Sequence, residues 1–344
     1  MRVGYNGRMA WDMIGHQWAV DLLRQHIMTD QVRHAYLFIG AESLGKKTLA
    51  LRLAQVLNCP NLDEQGDPCG QCISCRQIQE GVFPDVRLIE PESASEEVKV
   101  DQVRELSRWL SLAPYQSRWR IAVLVDFHQA NEHAANALLK TLEEPAENVL
   151  LILTARSSAD LLPTIISRCE VLKLRPVPVD ILSDTLQKRG MGDEETSKYA
   201  RISGGFPGKA IRLLEEPETA EHRTQRLAEL MQLLAADRIS RLAYADALSK
   251  FHKEAALVRS EVLQVLAYWQ LIWRDVLLTS HGADVAPQNP DQVDAIDQLS
   301  MQVPAEASLA VVMKIQQTSE AVQRNANIRL AMESLLLSLP HLQS

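Results

Sequence analysis

No stretch of this chain is apolar for long enough to cross a membrane, and its first residues, MRVGYNGRM, lack the apolar core of a secretion signal. The cytoplasm is therefore the expected compartment, with no membrane partner. Positive charge is not in excess either. Lys and Arg number 36 against 44 Asp and Glu, a net charge of −8 that argues against a protein gripping DNA alone through a broad basic face. Local basic patches stay open. Internal repeats and low-complexity tracts are missing, and cysteines number only five, which a reducing compartment would not pair as disulfides. What remains is an ordinary globular composition, 46% hydrophobic and 23% charged, in 344 residues that suffice for two or three domains.

The chain is organised around the stretch from Arg120 to Cys169. Ile121 to Val125 is an unbroken apolar run, the pattern of a strand buried on both faces of a parallel sheet. Asn131 is placed to cap the next helix and Pro145 to stop it, with Ala135, Leu138, Leu139 and Leu142 as the buried stripe. Val149 to Thr154 predicts a second apolar strand, and Ser167-Arg168-Cys169 precedes a short strand from Glu170 to Leu174. Within this stretch NALLKTLEEP followed by LPTIISRC resembles the AAA+ subunits of clamp loaders, most of all those of bacterial DNA polymerase III, which open sliding clamps and place them on DNA. The resemblance spans essentially the whole chain and is sharp from about residue 35 to 175. It implies that Arg168 is an arginine finger, donated in trans to the ATP site of a neighbouring subunit.

Upstream, residues from about Ala10 to Thr29 predict one amphipathic helix with Ile14, Ala19, Leu22, Leu23 and Ile27 on one side, and Tyr36 to Ile39 predict the first core strand. GAESLGKKT then matches most of a phosphate loop at Gly40, Gly45 and Lys46. Such a loop needs glycines so that backbone N–H groups can face phosphates, a lysine for their charge, and a hydroxyl for Mg²⁺. Here Lys47 stands at the hydroxyl position, Thr48 comes one place late, and Ser43 stands where relatives carry a further glycine. Two readings stay open: ATP or ADP binding without competent Mg²⁺ handling, or a relic loop that keeps its turn for structural reasons.

Cys59, Cys69, Cys72 and Cys75 follow, spaced C-x9-C-x2-C-x2-C across a polar, turn-rich insert. Four thiolates in so short a span suit one tetrahedral structural zinc per chain, closed to chemistry. Iron–sulfur clusters use related spacings, but this one departs from the common ferredoxin run. Many clamp-loader subunits carry a similar insert. Val86 to Ile89 predict another strand, the acidic segment 91–97 an irregular loop, and Val100, Val103, Leu106 and Leu110 one face of a helix. Arg118 and Arg120 lie just before the organising strand and read as solvated surface.

A working AAA+ ATPase needs an aspartate for Mg²⁺ and an adjacent glutamate to orient water. Counted back from NALLK, Val125 falls at the first position and Asp126 at the second; aligned the other way, Phe127 replaces the base. The pair is broken in both alignments. The lid segment ending SGGFPGKA also lacks, around Gly208, Lys209 and Ala210, the nucleotide-sensing arginine of motor subunits.

From about Glu215 the chain predicts long amphipathic helices, with Trp269 and Trp273 in their core and one continuous run from Leu309 to Leu339. Helices packing only on one another would account for this region. The resemblance adds an oligomerisation collar. The expected architecture is an α/β AAA+ core with a parallel five-stranded sheet (1–175, insert 59–75), a helical lid (176–213) and an all-α collar (214–344). The resemblance implies a subunit without ATPase turnover of its own that completes the loader ring, with gamma/tau motor subunits, a delta subunit, the sliding clamp and primed DNA as partners. An active motor subunit is the rival reading, and a AAA+ adaptor outside replication a second; Lys47 and the broken acidic pair disfavour the first, NALLKTLEEP joined to SRC the second.

Overall fold

The structure, a computed structural model, describes residues 10–90 and 98–342. The first nine residues and the acidic segment 91–97 lie outside the described residues. The chain divides into two compact units, Met1–Gly190 with Phe206–Gly208, and Met191–Gly205 with Lys209–Ser344. Residues of the expected lid, 176–213, therefore fall partly in each. Among the described residues no helix is long and apolar enough to cross a membrane.

Unit one is built on a parallel sheet of β1 (Ala35–Ile39), β2 (Val86–Ile89), β3 (Arg120–Leu124), β4 (Val149–Ala155) and β5 (Glu170–Lys173), in the order β2-β3-β4-β1-β5. The three central strands are buried at every position, which is why they read as unbroken apolar runs rather than alternating ones. Alternate residues serve opposite faces. Tyr36, Phe38, Ile121, Val123, Leu150 and Ile152 meet α1 (Gln17–Met28), α2 (Lys46–Asn58) and α3 (Ile73–Glu80). Leu37, Ile39, Ala122, Leu124, Leu151 and Leu153 meet α4 (Val100–Leu110), α5 (Glu132–Glu143) and the single turn α6 (Pro163–Ile166). Asn131 caps α5 as expected, its side chain accepting from the Ala134 N–H.

Two local expectations are corrected. The helix predicted from Ala10 begins only at Gln17, because a 3-10 turn at Ala10–Asp12 and left-handed backbone at Trp11, Asp12, Gly15 and His16 interrupt it. Arg120 is not surface. It opens β3 with its side chain 6% exposed, donates to the fully buried Asp85 carboxylate, and lies over the Trp109 ring at 4.8 Å. Asp85 also accepts N–H groups of Tyr115, Gln116 and Ser117, so one buried carboxylate pins the loop that feeds the central strand. Burial opposes ionisation of Asp85, but those donors together hold its carboxyl below the usual carboxylate range. Arg118, two residues earlier, is exposed as predicted.

α7 (Val179–Lys188) closes unit one's continuous part; α8 (Asp193–Ile202) belongs to unit two, and α9 (Pro207–Glu215) follows. Unit two continues with α10 (Pro217–Ala235), α11 (Arg238–Ser249), α12 (Ala255–Ser280), α13 (Val293–Gln302), α14 (Ala305–Gln323) and α15 (Ile328–Ser338). Trp269 and Trp273 are fully buried on α12, as predicted. The run from Leu309 to Leu339 is two helices, not one: Asn325 takes a left-handed conformation and Asn327 caps α15. Arg241 is buried, and among the described residues it has no carboxylate partner. Its fork donates to the carbonyls of Leu233 and Leu234 at the end of α10 and of Leu336, Leu339 and Pro340 at the end of α15. The guanidinium thus caps two helix C-termini, where the backbone dipoles favour a cation. Arg241→Met is expected to destabilise unit two by at least about 3 kcal/mol, since it orphans several buried carbonyls at once. Urea unfolding followed by tryptophan fluorescence checks this; an unchanged midpoint would show the carbonyls find water instead.

Candidate nucleotide edge, metal centre and arginine

The C-terminal ends of the strands form one edge of the sheet, and the phosphate loop leaves it after β1. Gly40 must be glycine, because a Cβ there would stand 2.7 Å from the Leu174 carbonyl oxygen. Gly45 turns left-handed into the first residue of α2, so the loop has the expected strand–turn–helix setting. Its chemistry is turned inward. Lys46 is buried, and its ammonium donates to the carbonyls of Gly40 at 2.6 Å and Ala41 at 2.9 Å, saturating the loop with its own lysine. Burial pulls the Lys46 ammonium below the usual lysine range, and the carboxylates of Asp126 and Glu42 oppose that. Lys47, at the hydroxyl position, points away to an ion pair with Glu90, and Thr48 is exposed.

The acidic positions are equally altered. Val125 packs on the core, Asp126 leaves β3 in a left-handed conformation, and Phe127 is buried in the opposite core. A buried phenyl ring can orient no water. Asp126 instead donates its backbone N–H to the Thr154 hydroxyl at 2.8 Å, and its carboxylate Oδ1 lies 4.0 Å from His128 Nδ1. Burial lowers the His128 pKa, with the Asp126 charge opposing. Thr154 was missed as a site residue; its signal is a lone hydroxyl next to last in an otherwise apolar strand. The Glu42–Arg156 ion pair beside the loop was missed too, since nothing local links those residues. Gly208 donates its N–H to the Ser43 carbonyl at 2.9 Å, and a Cβ there would lie 3.2 Å from Ser43 atoms. A side chain at 208 would press on Ser43, which would have to give by a few tenths of an ångström.

The four insert cysteines converge. Their sulfurs all lie within 4.8 Å of one another, with Cys59–Cys69 at 3.6 Å and Cys59–Cys72 at 3.9 Å. A tetrahedron with metal–sulfur bonds of about 2.3 Å has edges of about 3.8 Å. The N–H groups of Cys69, Cys72 and Cys75 point at the sulfurs of Cys59, Cys69 and Cys72, the surroundings a thiolate-bound cation needs. Without a cation the thiols conflict. Burial pushes Cys59 and Cys75 up, while Cys69, despite burial, is brought to about 7 by the Gln71 and Cys72 N–H groups. Cys59 directly follows α2, Gln55 of α2 donates to the Cys75 carbonyl, and Arg24 of α1 pairs with Asp67 of the insert. These residues fit a bound metal, which would be tied to the back of the phosphate-loop helix.

Arg168 stands at the other end of the sheet. It lies two residues before β5, whose first residue pairs with Tyr36 of β1. Gly40 is four residues farther along β1, about 13 Å at 3.3 Å per residue. The guanidinium sits at the surface, donating to Glu143 Oε1 at 2.7 Å and the Thr164 carbonyl at 2.8 Å. The loop, the acidic positions and the lid glycine are thus brought together; Arg168 and the cysteine cluster stand apart.

Comparison with known proteins identifies relatives of this chain. The profile described as "DNA polymerase III, delta subunit" matches residues 15–178, and that of "DNA polymerase III, delta subunit, C terminal" matches 221–341. The DNA polymerase III subunit gamma of Buchnera aphidicola is 32% identical over 276 residues, 77% of this chain and 75% of the relative. The DNA polymerase III subunit delta' of Bacillus subtilis is 28% identical over 319 residues, covering 92% of this chain and 94% of its own. That of Pseudomonas aeruginosa is 37% identical over 186 residues, 53% and 56% of the two chains. With a five-stranded parallel core, a helical C-terminal region and these relatives, the chain belongs to the delta-prime family of DNA polymerase III.

Proposed function

We propose that this chain is the non-hydrolysing subunit of a bacterial clamp loader: it completes the ring, donates Arg168 to a neighbouring ATPase subunit and helps load the sliding clamp on primed DNA in the cytoplasm. The observation that carries this reading is the polarity of the sheet. At the edge where a nucleotide would sit, Lys46 is held by its own loop, Lys47 has replaced the hydroxyl, and Phe127 is buried. Arg168 projects at the opposite edge, out of reach of that loop and available to another chain. In this reading residues 1–175 form the AAA+ core, 176–213 the lid and 214–344 the collar through which gamma/tau and delta subunits are met. The four cysteines hold one structural zinc.

The isolated chain is expected to show no ATPase above background, and Lys46→Ala to leave ring turnover nearly intact. Mixing the chain with motor and delta subunits and sizing the product tests the ring, and steady-state phosphate release tests turnover. Lys46-dependent hydrolysis by the chain alone would favour a motor subunit, in line with its similarity to a gamma subunit. Failure to join the ring would leave the adaptor reading.

A further inference from the structure

We propose that Glu143 is the positioning residue for the Arg168 guanidinium, an inference that rests on Arg168 acting as the finger. Glu143 is the last residue of α5 and Glu144 its cap, so two carboxylates stand at a helix C-terminus, where the backbone dipole disfavours negative charge. Helix stability does not account for them. Glu143 is offset by a cation 25 residues away: Arg168 Nη2 donates to Glu143 Oε1 at 2.7 Å. The other terminal nitrogen, Nη1, donates to the Thr164 carbonyl at 2.8 Å and approaches the Ser167 hydroxyl at 3.4 Å.

Two fixed acceptors on different elements orient a planar fork that would otherwise rotate about four side-chain bonds. A guanidinium carries five N–H donors, so capacity remains on Nε and Nη2 for phosphate oxygens. The anchor is itself firm. α5 packs its stripe of Ala134, Ala135, Leu138 and Leu142 on the sheet, and Thr141 donates to Ser107 of α4 at 2.9 Å. An exposed ion pair of this kind, its side chains 35% and 50% accessible, contributes only about 0–1 kcal/mol to stability. Its value lies in geometry, because a finger must meet the transferring phosphate in place when charge builds there.

The test is the ATP dependence of steady-state hydrolysis in rings rebuilt with Glu143→Ala, Glu143→Gln, Arg168→Ala or the Glu143→Ala/Arg168→Ala pair, each at matched assembly by sizing. Glu143→Ala is expected to lower kcat about three- to tenfold with KM little changed, since a mis-aimed finger affects the transition state rather than ATP binding. Glu143→Gln, which keeps an acceptor oxygen, is expected to retain most of the rate. Added to Arg168→Ala, Glu143→Ala is expected to cost nothing further, because both act through one contact. If Arg168→Ala slows the ring and Glu143→Ala does not, the positioning role is wrong and the finger stands. If Glu143→Ala slows the Arg168→Ala ring further, or its whole effect is lost assembly, Glu143 acts elsewhere and the proposal is overturned. If Arg168→Ala itself has no effect, the finger reading fails first.

Discussion

Rings rebuilt with Arg168→Ala are expected to hydrolyse ATP and load clamps more slowly than wild-type rings, with the isolated chain folded as before. A surface arginine near a strand is usually a solvated group. Position argues against it. Arg168 is held by Glu143 and Thr164 at the end of the sheet opposite the chain's own phosphate loop, the placement that a finger given in trans would need. A planar guanidinium matches the charge that develops on a γ-phosphate, and an ammonium matches it poorly, so Arg168→Lys is expected to restore little. Arginine fingers supplied in trans are worth about 10³–10⁵ in rate in well-studied nucleotide hydrolases. A ring with several ATP sites should lose less, because other subunits complete the other sites. The exposed Arg168–Glu143 pair holds at most about 1 kcal/mol, so stability should not move enough to confuse the readout. Steady-state ATPase at matched assembly decides it: equal rates in both rings would return Arg168 to the surface and leave the chain a scaffold.

The second large effect is expected at the cysteine insert. Elemental analysis is expected to find about one zinc per chain, since four sulfurs within 4.8 Å of one another suit a tetrahedral thiolate site. Structural zinc contributes on the order of 10–16 kcal/mol of apparent binding free energy in small motifs at neutral pH. Cys72→Ser combined with Cys75→Ser should remove the metal and local order together. The consequence should spread past the insert, because Cys59 ends the phosphate-loop helix, Gln55 binds the Cys75 carbonyl, and Arg24 holds Asp67. Faster amide exchange at the C-terminal turns of α2 would report that spread. A metal-free native protein would sink the idea.

Periodicity and punctuation carried far in this chain because they are local. Central strands buried on both faces leave unbroken apolar runs, and Asn131 before the α5 stripe and Pro145 after it mark the bounds of one helix. The cysteine spacing announced its cluster for the same reason: short loops can only bring such close neighbours together. The residues at 47 and at 125–127 depart from the phosphate-loop and acidic patterns in the sequence alone.

What only the tertiary structure decided concerns partners far apart in the chain. Arg120 has the same composition around it as the exposed Arg118, yet Asp85, 35 residues earlier, draws it inside. Arg241 is held by carbonyls up to 99 residues away. No pattern in the chain tells that Lys46 bonds its own loop, that Gly208 rests on Ser43, or that Glu143 holds Arg168. The sequence by itself determined the fold class and the cysteine cluster, because hydrophobic period and ligand spacing act over a few residues. The tertiary structure decided which charges are buried, which are paired and which edge each faces, because those depend on the free energy of groups that only folding brings together.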